Sequence, residues 1–215
     1  MNSWADKRCE MQVKVKICGI TNLDDAMAAA EFGADALGFV FFKGSPRYIP
    51  YTNAASIIKK LPSFLATVGV FVNEQPEHIE NIITMTGIDV IQLHGEEPPE
   101  KCIFMRRTIK AVRVETLESL DPLINYKGIV SAFLLDAFTR GLFGGTGKIF
   151  NWDIAIEAKQ FGRIILAGGL TPDNVTEAVR RVSPYGVDVS SGVEFERGRK
   201  DHKKMQLFIE RAKGA

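Results

Sequence analysis

The sequence predicts an α/β fold, a single (β/α)8 TIM barrel, and three observations carry that prediction. From Val13 onward short β-branched runs alternate eight times with longer amphipathic segments, as expected of parallel strands joined by crossover helices. Eight units exceed the roughly five or six strands at which a doubly wound open sheet usually stops. No internal linker interrupts the array, so residues 13–215 read as one barrel domain.

The first strand, Val13 to Cys18, alternates Val13, Val15 and Ile17 with Lys14, Lys16 and Cys18, and its helix begins near Leu23, where Asn22 can supply the capping oxygen. The second strand, Ala36 to Phe41, leads to a helix near Thr52, itself a candidate cap. Ala66 to Val72 precedes a helix from Pro76, Ile88 to Leu93 one from Pro98, and Ile109 to Val114 one from Leu117. The sixth strand, Ala132 to Asp136, precedes a helix near Trp152. Ile164 to Ala167 is followed by a helix at Asn174 with Asp173 before it, and Gly186 to Val189 by a final helix near Asp201. Most strands start 21 to 23 residues apart, but Ala36 to Ala66 is 30 and Ala132 to Ile164 is 32. Both surpluses follow the strand, as KGSPRYIP (Lys43 to Pro50) and FTRGLFGGTGK (Phe138 to Lys148). Loops after the strands form the catalytic face of such a barrel, so the length anomaly itself points to a site.

The composition bounds the function. The 215 residues, 46% hydrophobic and 25% charged, suffice to bury a full core. A net charge of +1 offers no electrostatic footprint for nucleic acid or anionic lipid, so an anionic ligand must be held by local groups. No apolar run approaches the roughly 18 residues that span a bilayer. Residues 1–12 lack a signal peptide's apolar stretch and read as an extension outside the fold, with Met11 an alternative start. Cys9, Cys18 and Cys102 are odd in number and lack metal-type spacing, which indicates a reducing compartment, the cytoplasm. Three unclustered histidines, His78, His94 and His202, argue against a metal site.

With Val13, Val15 and Ile17 toward the helices, Cys18 points into the barrel at its catalytic end. A small buried thiol without chemistry fits the position too. Lys16, on the same face, is expected to favour the thiolate. Asp136 ends the apolar run AFLLD, either as a loop residue or as an acid poised for proton transfer. Gly144, Gly145, Thr146 and Gly147 beyond it suit a mobile lid. AGGLT after strand seven and VSSGVE after strand eight occupy the two positions where barrels bind phosphate through backbone N–H groups. Ser190, Ser191 and Gly192, with Gly168 and Gly169 opposite, are the candidates; tight βα turns are the plain alternative. Arg47, in SPRY, offers a planar fork for a carboxylate. Gln92 and His94 share one face, as do Asp188 and Ser190, so all four can line the mouth; a structural imidazole remains open for His94. The run EFERGRKDHKK, Glu194 to Lys204, reads as a solvated loop.

Taken together, KICGIT (Lys16 to Thr21), GADALGFVF (Gly33 to Phe41), SPRYI (Ser45 to Ile49), VGVFVN (Val68 to Asn73), QLHG (Gln92 to Gly95), LLDA (Leu134 to Ala137), GGTG (Gly144 to Gly147), LAGGL (Leu166 to Leu170) and DVSSGVE (Asp188 to Glu194) resemble the phosphoribosylanthranilate isomerase family of tryptophan biosynthesis. The resemblance implies an Amadori rearrangement of N-(5-phosphoribosyl)anthranilate, an aminoaldose, to the 1-deoxyribulose phosphate, an aminoketose, without metal or organic cofactor. It implies Cys18 as general base and Asp136 as general acid. It also implies Arg47 on the anthranilate carboxylate, the AGG and SSG loops on phosphate, and Asp188 near the sugar. A phosphorylated small molecule is thus the expected partner, with no nucleic acid or membrane; monomer and homodimer are both open. ERGRKD lacks the proline often present before that glycine, and the chain has length for one barrel, without the indole-glycerol-phosphate synthase fused in some members.

Two other classes share part of this pattern. A ribulose-phosphate epimerase would share the terminal glycine loops but display metal-ligand histidines and acids on several strands. A non-catalytic binding barrel would keep the phosphate loops without needing Cys18 and Asp136. The pattern leaves open a related isomerase that also serves histidine biosynthesis; paired aspartates are usual there, and Cys18 stands where one would sit.

Overall fold

Alternation along the strands sorts the side chains into two layers. Val15 and Ile17 of β1 (Lys14–Cys18) are fully buried outside the sheet, whereas Lys16 and Cys18 face the interior of a closed barrel. This computed structural model describes residues 12–137 and 152–215. Around the barrel follow β2 (Ala36–Val40), β3 (Ala66–Phe71), β4 (Val90–Leu93), β5 (Arg107–Val114), β6 (Ala132–Ala137), β7 (Ile164–Ala167) and β8 (Gly186–Val189), which pairs back with β1. All eight pairings are parallel. The interior is filled by small and branched residues: Val68, Val90, Ile109, Ala111, Ala132, Leu134, Ile165 and Ala167. The larger core lies between sheet and helices, with Phe39, Phe71, Phe133 and Phe208 among its fully buried members.

Among the described residues six α-helices surround the sheet: α1 (Leu23–Glu31), α2 (Tyr51–Ile58), α3 (Pro76–Thr86), α4 (Trp152–Ala158), α5 (Val175–Val182) and α6 (His202–Lys213). Asn22 caps α1 as expected, its side chain accepting from Asp25 N at 2.9 Å. The other two expected caps are not made. The α2 helix begins one residue earlier, at Tyr51 behind Pro50, so Thr52 lies inside its first turn. Asp173 instead pairs with Arg211 at 2.9 Å, and Asn174 flanks α5, accepting from Thr171 N.

The fourth and fifth units carry 3₁₀ segments, Pro99–Cys102 and Leu117–Tyr126, where helices were expected. Between Leu93 and Arg107 the chain has little length, and Pro98 and Pro99 take part of it. Pro122 lies within Leu117–Tyr126 and removes one N–H. A further correction concerns Glu194 to Lys204. It is not a solvated loop but a short antiparallel hairpin, β9 (Glu194–Glu196) and β10 (Arg199–Lys200), followed by α6, and Lys200 is buried at 2% exposure. At the opposite end of the barrel a second hollow of about 290 Å³ lies beside Phe64, which is fully exposed. No helix of the described residues is long and apolar enough to cross a membrane.

Candidate active site

The C-terminal ends of the strands surround a cavity of about 550 Å³. Cys18, Arg47, Gln92, His94, Asp136, Gly168, Gly169, Asp188, Ser190, Ser191 and Gly192 all line it. Every expected site residue among those described is therefore brought to one place; Gly144, Gly145, Thr146 and Gly147 lie outside the described residues.

On the floor, Lys16 Nζ donates to Asp188 Oδ1 at 2.7 Å, with both residues buried. Two charges so enclosed require each other, since removing either leaves the other unpaired in a poor solvent for ions. The Cys18 thiol lies next to this pair, close enough to Lys16 to interact with it. Glycine at position 38 makes this arrangement sterically feasible: a Cβ there would stand 2.8 Å from Cys18 Sγ and 3.0 Å from Lys16 Nζ. Lys16 acts on the thiol in the expected direction, toward the thiolate, but does not decide its resting state. Burial pushes the Cys18 thiol above the ordinary value and Asp188 adds to this, while Lys16, the main opposing influence, does not overcome them. Burial would depress the Lys16 ammonium as well, but Asp188 and Cys18 reverse that and hold it above the usual lysine range.

Across the cavity Asp136 stands at the end of β6, its carboxylate about one-third exposed, with His94 Nε2 at 3.3 Å from Oδ2. The imidazole therefore has a partner, and its other nitrogen lies 3.5 Å from Gln92 Nε2. Among the described residues two buried polar atoms lack partners, Gln92 Oε1 and Ser190 Oγ, and both residues line the cavity. An unmet buried polar group costs roughly 1–3 kcal/mol, so Gln92 Oε1 is a place where a ligand hydroxyl can donate, and the Ser190 hydroxyl can donate to a phosphate oxygen.

The β7 and β8 loops meet tightly. Gly168 and Gly169 both take positive φ, 74° and 68°, a conformation in which side chains are strained, and a Cβ on Gly192 would run into the Leu170 carbonyl. Turned, glycine-rich backbone of this kind is suited to offering N–H groups to an anion. Arg47 reaches in from the lengthened β2 loop, passing over Gly19, where a Cβ would lie 2.5 Å from Arg47 Cδ. Its guanidinium is held bidentately by Glu194, with Nε to Oε1 at 2.8 Å and Nη2 to Oε2 at 2.7 Å. The contact raises Arg47 and, with Lys200, holds Glu194 below the usual carboxylate range against its burial.

Sequence reasoning missed Arg113, Gly38, Glu194 and Lys200. Arg113 lines the cavity from the end of β5. The signal was available, because Ile109 and Ala111 share its face and sit inside the barrel. Among the described residues no three His, Cys, Asp or Glu side chains gather as a metal would need.

Comparisons with known proteins agree on one family. The sequence model for N-(5'phosphoribosyl)anthranilate (PRA) isomerase matches residues 15–211. An N-(5'-phosphoribosyl)anthranilate isomerase of Geobacter sulfurreducens is 57% identical over 203 residues, covering 94% of this chain and 99% of its own. The crystal structure of phosphoribosyl anthranilate isomerase from Thermotoga maritima superposes with a TM-score of 0.89 at 45% identity, covering 94% of this chain and 100% of that one. A crystal structure of the isomerase in complex with reduced 1-(o-carboxyphenylamino)-1-deoxyribulose 5-phosphate superposes with a TM-score of 0.85 at 43% identity, over 94% of this chain and 100% of that one.

Proposed function

The chain belongs to the phosphoribosylanthranilate isomerase family, and on that premise we propose how its cavity performs the Amadori rearrangement of N-(5-phosphoribosyl)anthranilate to 1-(2-carboxyphenylamino)-1-deoxyribulose 5-phosphate. Asp136 is the general acid and Cys18 the general base. Asp136 gives its proton to the ribose ring oxygen as the C1–O bond breaks, leaving a protonated Schiff base between C1 and the anthranilate nitrogen. Cys18 then takes the proton from C2, and the C2–H electron pair flows into the C1–N cation to give an enolamine. Transfer of a proton to C1 and loss of the C2 hydroxyl proton complete the ketone.

The resting thiol is held neutral by burial. A cationic Schiff base arriving beside it works in the same direction as Lys16 and favours the thiolate when the base is needed. His94, 3.3 Å from Asp136, orients the acid. The phosphate is assigned to the backbone around Gly168, Gly169, Ser190, Ser191 and Gly192, with the orphaned Ser190 Oγ as an additional partner. Gln92 Oε1 and Asp188 are placed beside the sugar, and Arg47 beside the anthranilate carboxylate.

The observation that carries these roles is the convergence of a strand-end thiol, a strand-end carboxylate and two glycine- and serine-rich loops on one cavity. The test is turnover of substrate generated in situ, followed by loss of anthranilate-type fluorescence. Cys18→Ala and Asp136→Asn should each lower kcat by roughly 10²- to 10⁴-fold with folding retained; near-native turnover in either would remove its role. The same reading takes residues 13–215 as the barrel domain with 1–12 outside it, supported by the family match over 15–211. It puts the enzyme in the cytoplasm, supported by the odd cysteine count and the biosynthetic reaction.

A further inference from the structure

The structure ties together three charged side chains beside the cavity that the proposed chemistry uses only in part: Arg47, Glu194 and Lys200. Lys200 Nζ sits at the centre with three acceptors, the Cys18 carbonyl at 2.6 Å, the Ser190 carbonyl at 3.2 Å and Glu194 Oε1 at 2.9 Å. Its side chain is 0% exposed and that of Glu194 5%. Three acceptors around one nitrogen require three hydrogens, which only the ammonium supplies, so Lys200 is a buried cation. Glu194 is thus shared between two cations, and the cluster of two positive charges and one negative has a net charge of +1.

Without Lys200, Glu194 and Arg47 would be a closed ion pair of net charge zero, a poor receptor for a carboxylate. With it, the guanidinium keeps a fixed orientation, yet only two of its five N–H groups face Glu194 and the cluster retains a positive charge for an anion. We infer that Lys200 is a positioning residue whose buried charge offsets Glu194 and so keeps Arg47 able to bind the substrate carboxylate. This deepens the assignment of Arg47 above and rests on it. Of the neighbouring charges, Lys16 is matched by Asp188, and Asp25 accepts from the Lys200 backbone N–H at 3.0 Å and lies 2.8 Å from His202 Nε2.

Steady-state kinetics on a set of variants separate the possibilities. Lys200→Met should raise KM about ten- to hundredfold, the scale of one charge lost several ångströms from an anion at an intermediate dielectric. In the Glu194→Gln/Lys200→Met double variant both buried charges are gone and Arg47 alone again contributes +1. Its KM should return to within about threefold of the parent, even though the ties to the Cys18 and Ser190 carbonyls remain absent and kcat stays reduced. If Lys200 acts only as a bolt for those carbonyls, the double variant keeps the raised KM of Lys200→Met or exceeds it, and the inference is overturned. If Lys200→Met does not fold, the double variant alone decides, because a KM near the parent supports the charge role and a raised KM refutes it. Arg47→Met is the reference: an unchanged KM there defeats the carboxylate assignment itself. A raised KM in Arg47→Met with an unchanged one in Lys200→Met defeats only the inference about Lys200.

Discussion

One methyl group added at Gly38 should disable the enzyme while leaving the barrel standing. Gly38 lies in β2 with its Cα paired in register to Cys18. A Cβ there would stand 2.8 Å from Cys18 Sγ, where ordinary contact begins near 3.4 Å, so the sulfur must retreat by about 0.6 Å. Lys16 Nζ, at 3.0 Å from the same point, must retreat by about 0.4 Å while anchored to Asp188. A displacement near 1 Å at a reacting group costs about 10²-fold, so Gly38→Ala should lower kcat by about 10- to 100-fold. The stability effect stays within the margin of a folded domain: overpacking costs about 1–3 kcal/mol, partly offset by about 0.4–1 kcal/mol from the restricted unfolded chain, against a total of about 5–15 kcal/mol. The assay is the initial rate of fluorescence loss, with thermal unfolding in parallel and iodoacetamide labelling of Cys18 read by mass spectrometry. A folded Gly38→Ala enzyme with native kcat and native labelling would refute the close arrangement of Gly38, Cys18 and Lys16.

The remaining expectations concern charge. Because burial raises the Cys18 thiol, and a base must be deprotonated to act, the rising limb of kcat/KM and of Cys18 alkylation should lie on the alkaline side of the ordinary cysteine value. Lys16→Met removes the main influence that lowers this value and frees Asp188, which raises it, so the alkylation limb should move further toward alkaline pH; an unchanged profile would remove Lys16 from the account. Glu97 and Lys110 form a buried pair at 2.7 Å, and Glu97 also accepts from the N–H groups of Asn73 and Gly95 beside His94. Glu97→Gln leaves Lys110 unmatched and should cost about 3–5 kcal/mol, a fall in Tm of roughly 6–20 °C at about 2–4 °C per kcal/mol; a fall under about 3 °C would contradict it. Lys110 and the backbone donors hold Glu97 below the usual range against its burial. Its stabilisation is therefore present above the unfolded glutamate value and lost as pH falls through the folded one. The acid limb of thermal stability should flatten in Glu97→Gln.

The eightfold array was legible because short β-branched runs alternate with longer amphipathic segments, and face-by-face spacing within single strands put Cys18, Gln92 and Asp188 toward the interior, while Asp136 stood out as the carboxylate ending the apolar run AFLLD. The two 3₁₀ segments were hidden because amphipathic patterning does not report how few residues remain once Pro98 and Pro99 are placed. Lys200 was unreadable for a different reason. It sits in a charged run typical of solvated loops, and its acceptor at Cys18 is 182 positions away. The resting state of Cys18 depends on burial, and burial belongs to the closed barrel rather than to Lys16 two residues earlier.

The seam where β8 meets β1 has a further consequence for how the enzyme matures during synthesis. Lys16 finds Asp188, Arg47 finds Glu194 and Cys18 finds Lys200 only across separations of 172, 147 and 182 residues. A nascent chain that has emerged through β7 would have to bury Lys16 with no counter-charge, so β8 together with the hairpin behind it acts as a late checkpoint. Premature termination before it should yield fragments that stay open to proteases rather than sluggish enzymes, because loop closure over such distances comes late and here coincides with assembly of the catalytic floor.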